Sequence, residues 1–300
     1  MAHKVLVTGG TGLVGQTLLP LLTENGYEVA LLSRSKKAGS RVKIYEWDYK
    51  KEYLEEGALD GVDTIVHLAG AGVADSKWTA DRKNEILDSR TKTSHLLYKK
   101  LEAGNHQVKT IVAASAIGLY GSDTGPTNLN ENSPVGHDFL AHVTDAWELS
   151  TRKFKELGIR VVQLRIGVVL SKNGGALVKL LEPPVAAGLG KGKQYMSWIH
   201  VDDVAGITLK AIEDAEMEGP YNVVAPKPLT NKELTRQAAK AHGKTFTPIN
   251  VPGLVLKLML GEMAVIVLGG SRVSSEKIMK AGYTFKYPKL EEALKDLAGN

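Results

Sequence analysis

The chain has 300 residues, of which 43% are hydrophobic and 24% charged, with only 11 prolines; this supports a large buried core and excludes disordered, collagen-like and low-complexity classes. It contains no cysteine, so disulfide frameworks, thiolate nucleophiles, iron–sulfur clusters and cysteine-ligated zinc are ruled out. The 38 Lys and Arg exceed the 33 Asp and Glu to give a net charge of +5; no run of like charges accompanies this small excess, so nucleic acid is not an expected partner.

The opening MAHKVLVTGG enters a strand pattern within a few residues and shows no cleavage site, which reads as a cytoplasmic protein without a signal peptide. Short runs rich in Val and Ile at Val5–Thr8, Val29–Leu32, Thr64–Leu68, Lys109–Ala114 and Arg160–Ile166 alternate with helical stretches such as Leu13–Glu24 and Ala80–Leu101. Continuous apolar runs belong to strands buried on both faces. The alternation therefore predicts an α/β fold, a Rossmann-type doubly wound parallel sheet. Around Ser171 the text becomes NGGALVKLLEPPVAAGLGKGKQ, predicting an excursion from the sheet over 171–196. SWIHVDDVAGITLKAI then reads as a strand feeding a helix, and GPYNVVAP as a further strand.

From Thr230, which forms a capping box with Glu233, to the amphipathic run Leu290–Leu297, the pattern is mainly helical. The expected organisation is a dinucleotide domain over 1–225 and a smaller, mainly helical C-terminal cap over 226–300 on the substrate side. The apolar run Leu254–Leu268 is expected to be core, with a substrate mouth or a homodimer contact as alternatives. The wider stretch Val251–Gly270 is broken by Pro252, Lys257, Gly261 and Glu262, so no span and no membrane partner are expected.

TGGTGLVG, Thr8–Gly15, stands between the first strand and the first helix and reads either as GxxGxxG (Gly9, Gly12, Gly15) or as GxGxxG (Gly10, Gly12, Gly15). In either reading glycine allows a tight turn, close backbone approach to a pyrophosphate and close helix–strand packing, and the helix N-terminus adds partial positive charge. Gly9, Thr11, Gly12, Leu13, Val14 and Gly15 are the predicted cofactor contacts here. At the end of the second strand, where an NAD-binding protein usually has an acid about 20 residues after the glycines, the chain has Ser33 and Arg34, with Lys36, Lys37 and Arg41 following. A guanidinium pairs bidentately with a 2′-phosphate that a carboxylate would repel, so NADP(H) is favoured over NAD(H). Asp48, after the third strand, is a candidate acceptor for the adenine amino group.

TGGTGLVG, HLAG (His67–Gly70), ASAIGLYG (Ala114–Gly121) and SWIHVDD (Ser197–Asp203) together resemble the extended short-chain dehydrogenase/reductases. GGAL (Gly174–Leu177), Trp147-Glu148 and the tail from GPYN to YPKLEEAL are similar to an atypical epimerase-like branch of them, whose C-terminal segment is a domain of unknown function. The resemblance implies a tyrosine–lysine pair spaced YxxxK, in which lysine lowers the tyrosine pKa. None of the ten tyrosines has lysine four residues on. The approximately matching positions hold Leu140 and Thr144.

By the same resemblance Ser115 would orient a substrate oxygen and Tyr120 donate a proton; each has the alternative of closing the pocket structurally. Leu68, Ala69, Gly70, Glu85, Arg90 and the backbone at Val169 would contact the cofactor, and Gln194, Trp198 and His200 the substrate, with core packing the alternative for Trp198 and a structural histidine for His200. The eight histidines form no HExxH or similar ligand spacing, so no metal is expected. Two functions remain open: an NADP(H)-dependent oxidoreductase or epimerase acting on a small carbonyl, hydroxyl or nucleotide-sugar-like substrate, or a non-catalytic NADP(H)-binding sensor or interaction partner.

Overall fold

The computed structural model describes residues 3–36 and 42–299; Lys37 and Arg41 lie outside the described residues. In chain order the elements are β1 (Lys4–Thr8), α1 (Leu13–Glu24), β2 (Glu28–Ser33), β3 (Lys43–Asp48), β4 (Tyr53–Leu54), β5 (Val62–His67), α2 (Ala80–Ala103), β6 (Thr110–Ala116), β7 (Gly125–Leu129), α3 (Phe139–Arg152), β8 (Arg160–Ile166) and β9 (Val168–Ser171). There follow β10 (Gly174–Gly175), α4 (Ala176–Leu181), β11 (Val185–Leu189), β12 (Tyr195–Met196), β13 (Trp198–His200), α5 (Val201–Glu213), β14 (Gly219–Val223) and β15 (Leu229–Thr230). The chain ends with α6 (Asn231–Ala241), β16 (Thr245–Val251), α7 (Gly253–Leu260), α8 (Ala264–Leu268), β17 (Ser271–Val273), α9 (Glu276–Lys280) and α10 (Leu290–Ala298).

The main sheet runs β14-β8-β6-β5-β1-β2-β3-β4, and every pairing in it is parallel except that of β3 with β4. This is the Rossmann-type sheet the alternating pattern implied. Its strands bury both faces: α1 and α5 enclose a cluster containing Val5, Val7, Leu18, Leu22 and Ile207, while α2 covers Leu6, Ile65, Leu97, Ile111 and Val161 on the other side. Such runs read as uninterrupted apolar sequence because neither face meets water. The strand order reverses beside β1, which has β2 on one flank and β5 on the other. A crevice forms there, outside the carboxyl ends of the strands.

The excursion after Ser171 does not pack on the main sheet. β11 pairs in parallel with β16 and β12 antiparallel with β15, so segment 176–196 shares a cluster with α6 and α10 through Leu177, Leu181, Ala186, Leu234 and Leu294. The capping box at Thr230 and Glu233 is present. Two strands, β16 and β17, were not anticipated in the tail: Thr245–Val251 contains Pro248, a residue that demotes a run to an edge strand.

The run Leu254–Leu268 departs from the core expectation. Met263 and Ala264 are buried, but along α7 only Leu256 is; Leu254, Leu258 and Met259 are 70%, 76% and 62% exposed. The apolar residues of α7 extend nearly around the helix, so one buried stripe cannot cover them.

Candidate functional site

The glycine loop is built by close approach. Gly9 has φ +69°, and a Cβ there would lie 2.8 Å from the Leu68 carbonyl, so β1 and β5 can meet only with glycine at this turn. A Cβ on Gly15 would lie 2.5–2.6 Å from the backbone of Gly10, which lets α1 settle against the end of β1. Gly12 donates its N–H to Gly9 O and is the N-cap of α1, with no side-chain cap. The first amides of α1, at Leu13, Val14 and Gly15, therefore have no intrahelical acceptor and offer an anion site. Both readings of the motif hold a part: Gly9 makes the tight turn, Gly12 caps α1, and Gly15 packs against Gly10.

A cleft of about 390 Å³ opens beside this loop, lined by Gly9, Thr11, Gly12, Ser33, Arg34, Leu68, Ala69, Gly70 and Glu85 among the expected residues. Arg34 is exposed at the end of β2 and makes no ion pair among the described residues, whereas Lys36 is turned away to Glu55 at 2.7 Å. Trp47 and Tyr49 line the cleft as well; sequence reasoning selected their neighbour Asp48 instead. Side chains alternate across a strand, so placing Trp47 and Tyr49 on the cleft side sends Asp48 to the other, where its Oδ1 accepts the N–H of Lys50 at 2.8 Å. Asp48 thus lies outside the cleft lining, beside the two residues that face it.

The wall opposite the glycine loop, 68–72, is held by buried side chains. Thr8 Oγ accepts the N–H groups of Leu68 at 3.1 Å and Ala69 at 3.0 Å. Its own proton then goes to His67 Nδ1 at 2.8 Å, leaving His67 Nε2 as a donor to Ser94 Oγ at 3.1 Å. Burial holds the pKa of this histidine down to about 4, so it is neutral, as the arrangement requires. Farther along, Ser89 Oγ accepts from Ala71 N at 2.9 Å, and Arg90 donates to Ala71 O at 3.0 Å. Arg90 is not part of the cleft lining; it packs beneath Gly70 and over the Trp147 ring at 4.9 Å. Glu85, which does line the cleft, accepts from Arg82 Nη1 at 2.6 Å.

The expected catalytic and substrate residues lie elsewhere. Ser115 is buried and donates to Glu148 Oε1 at 2.6 Å. Tyr120 is buried, donates to Asn222 Oδ1 at 2.6 Å and accepts from Arg165 Nη1 at 2.9 Å. Burial pushes the Tyr120 pKa up, and Arg165 only partly opposes it. Arg165 also grips Glu148 with Nε at 2.8 Å and Nη2 at 3.0 Å. These contacts suit the structural alternative for both residues: the two hydroxyls tie β6, α3, β8 and β14 together. Leu140 and Thr144 pack over Gly118 and supply no titratable group.

Trp198 is fully buried and donates to Lys227 O at 3.0 Å, so it has no face for a substrate. His200, also buried, caps α5 by accepting Asp202 N–H at 3.1 Å and lies over the Tyr287 ring at 4.0 Å. Gln194 donates to Leu189 O and Val267 O, joining the end of β11 to α8. Val169 is held in the small β10-β9-β13 sheet and does not reach the cleft lining. No group of His, Asp or Glu among the described residues could hold a metal ion, and no helix among them is long and apolar enough to cross a membrane.

A doubly wound sheet, a glycine turn feeding a helix N-terminus and a crevice at the strand-order reversal define a dinucleotide-binding protein. The chain belongs to the NAD dependent epimerase/dehydratase family, whose model matches residues 5–224, and residues 251–297 match a domain of unknown function, DUF1731. It is 33% identical over 302 residues to "Epimerase family protein YfhF" of Bacillus subtilis, covering 98% of this chain and 97% of that one. It is 35% identical to "Epimerase family protein SERP0438" of Staphylococcus epidermidis, with 98% of each covered. Among solved structures it is similar to human epimerase family protein SDR39U1 (isoform2) with NADPH, with a TM-score of 0.88, 31% identity and 99% of both chains covered.

Proposed function

We propose that the chain binds NADP(H) in preference to NAD(H) and uses it in epimerase-like hydride transfer on a small carbonyl or hydroxyl compound. One observation carries the cofactor assignment: Ser33 and Arg34 line the same cleft as Gly9, Thr11 and Gly12, and β2 ends without a carboxylate. The free amides at the start of α1 suit a pyrophosphate, Trp47 and Tyr49 offer aromatic surface for an adenine, and Arg34 is the cation for an additional phosphate. The relative solved with NADPH supports the same choice. Bound there, the nicotinamide would supply the hydride chemistry; the chain's own residues bind and orient it.

A second reading, a non-catalytic NADP(H) binder, draws on the locked network. Ser115 and Tyr120 are hydrogen-bonded to Glu148, Arg165 and Asn222, and Leu140 and Thr144 provide no base. Calorimetry with NADPH and NADH tests the cofactor assignment: NADPH binds at least about tenfold tighter, the value of one charge-assisted contact, and equal affinities would sink it. Loss of reduced-nicotinamide absorbance with a panel of carbonyl compounds, or conversion of a hydroxyl compound to its epimer with no net change in the nucleotide, then selects the enzyme, and tight binding with neither selects the binder.

A further inference from the structure

Exposed large apolar side chains gather on one part of the molecule. Val178, Val185, Ile249, Leu254, Val255, Leu258 and Met259 are all exposed, and all fall in segments 176–193 and 244–260, which the β11–β16 pairing joins. Exposed apolar side chains concentrated in two joined segments point to an interaction site. The same two segments carry Lys179, Lys191, Lys193, Lys244 and Lys257 against a single acid, Glu182. Lys179 and Lys244 donate to backbone carbonyls; Lys191, Lys193 and Lys257 are exposed.

The lysine loop and the apolar helix are neighbours. Gly190 N–H donates to Val251 O at 2.9 Å, Asn250 Nδ2 donates to Gly190 O at 3.1 Å, and Gly190 and Gly253 both approach Leu268. Lys191 and Lys193 thus flank the turn where β16 passes into α7, with Ile249 on one side of it and Leu254 on the other. Beside α7 a groove of about 440 Å³ is lined by Lys257, Ala264, Val265 and Leu268, with Asp123 and Glu262; Glu262 is neutralised by Lys83 at 2.5 Å.

We propose that this face, α7 with the 189–193 loop, docks on an anionic lipid surface, with Leu254, Leu258, Met259 and Ile249 entering the interface and Lys191, Lys193 and Lys257 at the headgroups. Flexible aliphatic side chains ringed by lysine match the interfacial pattern. A protein partner fits less well, because its hot spots are rich in Trp, Tyr and Arg, none of which occurs in either segment. A second copy placed symmetrically shuts the lysines of both copies into one interface, with Glu182 the single acid that each copy's two segments bring to it. A surface contact of this kind is distinct from a membrane span and independent of the cofactor assignment.

The test is co-sedimentation of the full chain with vesicles of phosphatidylcholine alone or mixed with phosphatidylglycerol. The protein pellets with the mixed vesicles, binding them at least about tenfold more strongly than the neutral ones, and raised salt releases it. The pair Leu254→Ser with Leu258→Ser, and separately Lys191→Glu with Lys193→Glu, each weaken binding at least about tenfold. These positions are exposed, and circular dichroism melts of each variant check that it folds. Absence of binding to mixed vesicles, equal binding to neutral ones, or a dimer in sedimentation that the leucine substitutions dissolve would each overturn the proposal.

Discussion

The hydroxyl of Thr8, at the end of β1, stands 2.8 Å from Nδ1 of His67 at the end of β5. Through this contact two adjacent strands fix the wall of the dinucleotide cleft. The hydroxyl accepts two amides of the 68–69 turn and gives its proton to the imidazole, so removing it strands Ala69 N–H and His67 Nδ1, while Leu68 N–H keeps the Thr8 carbonyl at 3.2 Å. Arg90 and Ser89 secure the far end of the same wall at Ala71. The turn beside the cofactor is therefore set by side chains the cofactor need not touch.

Thr8→Val keeps the shape of that side chain and deletes its hydrogen bonds. Leu68 N–H keeps the Thr8 carbonyl at 3.2 Å, so one half-buried amide, that of Ala69, loses its acceptor, and we expect a loss of about 1–3 kcal/mol in unfolding free energy. Chemical denaturation measures it directly. A change below about half a kcal/mol would mean that the 68–69 turn is held by something other than Thr8.

His67 also makes stability depend on pH. Its folded-state pKa is held down to about 4 by burial, against about 6.5 in an unfolded chain. Between these values the unfolded state binds more protons than the folded one, so stability rises with pH through this window and is lost as pH falls from about 6.5 towards 4. The full difference is worth about 3 kcal/mol. His67→Asn should lower stability at neutral pH and flatten this acid slope. His200, whose pKa is also lowered by burial, supplies a smaller slope of the same sign that persists in the variant. Melting curves collected between pH 4 and 7 separate the two, and an unchanged slope in His67→Asn would contradict the assignment.

Arg34→Ala tests the choice of cofactor at the level of one side chain. A guanidinium on a 2′-phosphate contributes about 1.5–3 kcal/mol, so the affinity for NADPH should fall by about ten- to a hundredfold, while NADH, which lacks that phosphate, changes little. Tyr49 lines the same cleft, and Tyr49→Ala should weaken both nucleotides to a similar degree. Parallel losses for the two nucleotides in Arg34→Ala would remove the basis for NADP(H) preference.

What the sequence revealed and what it hid divides along a physical line. The sheet, the glycine turn and the Ser33-Arg34 strand end depend on local pattern: apolar runs, a turn that only glycine allows, and a residue type at a fixed place after a strand. Trp47 and Tyr49 were within reach, since the alternation in YEWDY puts them on one face and Asp48 on the other, but choosing the face required the register against β2. The roles of Ser115, Tyr120, Trp198 and His200 depend on partners such as Glu148, Asn222, Lys227 and Tyr287, 29 to 102 positions distant, apart from the bond of His200 to Asp202 N–H. No local pattern reports those distances. The exposed α7 was hidden for another reason: apolar composition alone does not distinguish a core helix from one whose covering is absent.

The buried pair of Glu148 and Arg165 offers a last test, because it stands where Ser115 and Tyr120 were expected to act. Arg165 contacts both carboxylate oxygens of Glu148 and also Tyr120. Replacing Arg165 by Met leaves the buried Glu148 carboxylate with only the Ser115 hydroxyl and the half-exposed Arg152 at 3.8 Å, and should cost up to about 3–5 kcal/mol. Adding Glu148→Gln removes the stranded charge, so the double variant should be more stable than Arg165→Met alone by about 1–3 kcal/mol, although the hydrogen bonds to Arg165 are gone. A double-mutant cycle from denaturation curves measures this coupling. If the pair is structural, NADPH affinity in the double variant stays within about twofold of the parent chain while stability falls, a change too small to represent a lost contact; a tenfold loss of affinity in well-folded material would instead place Arg165 or Glu148 at the cofactor.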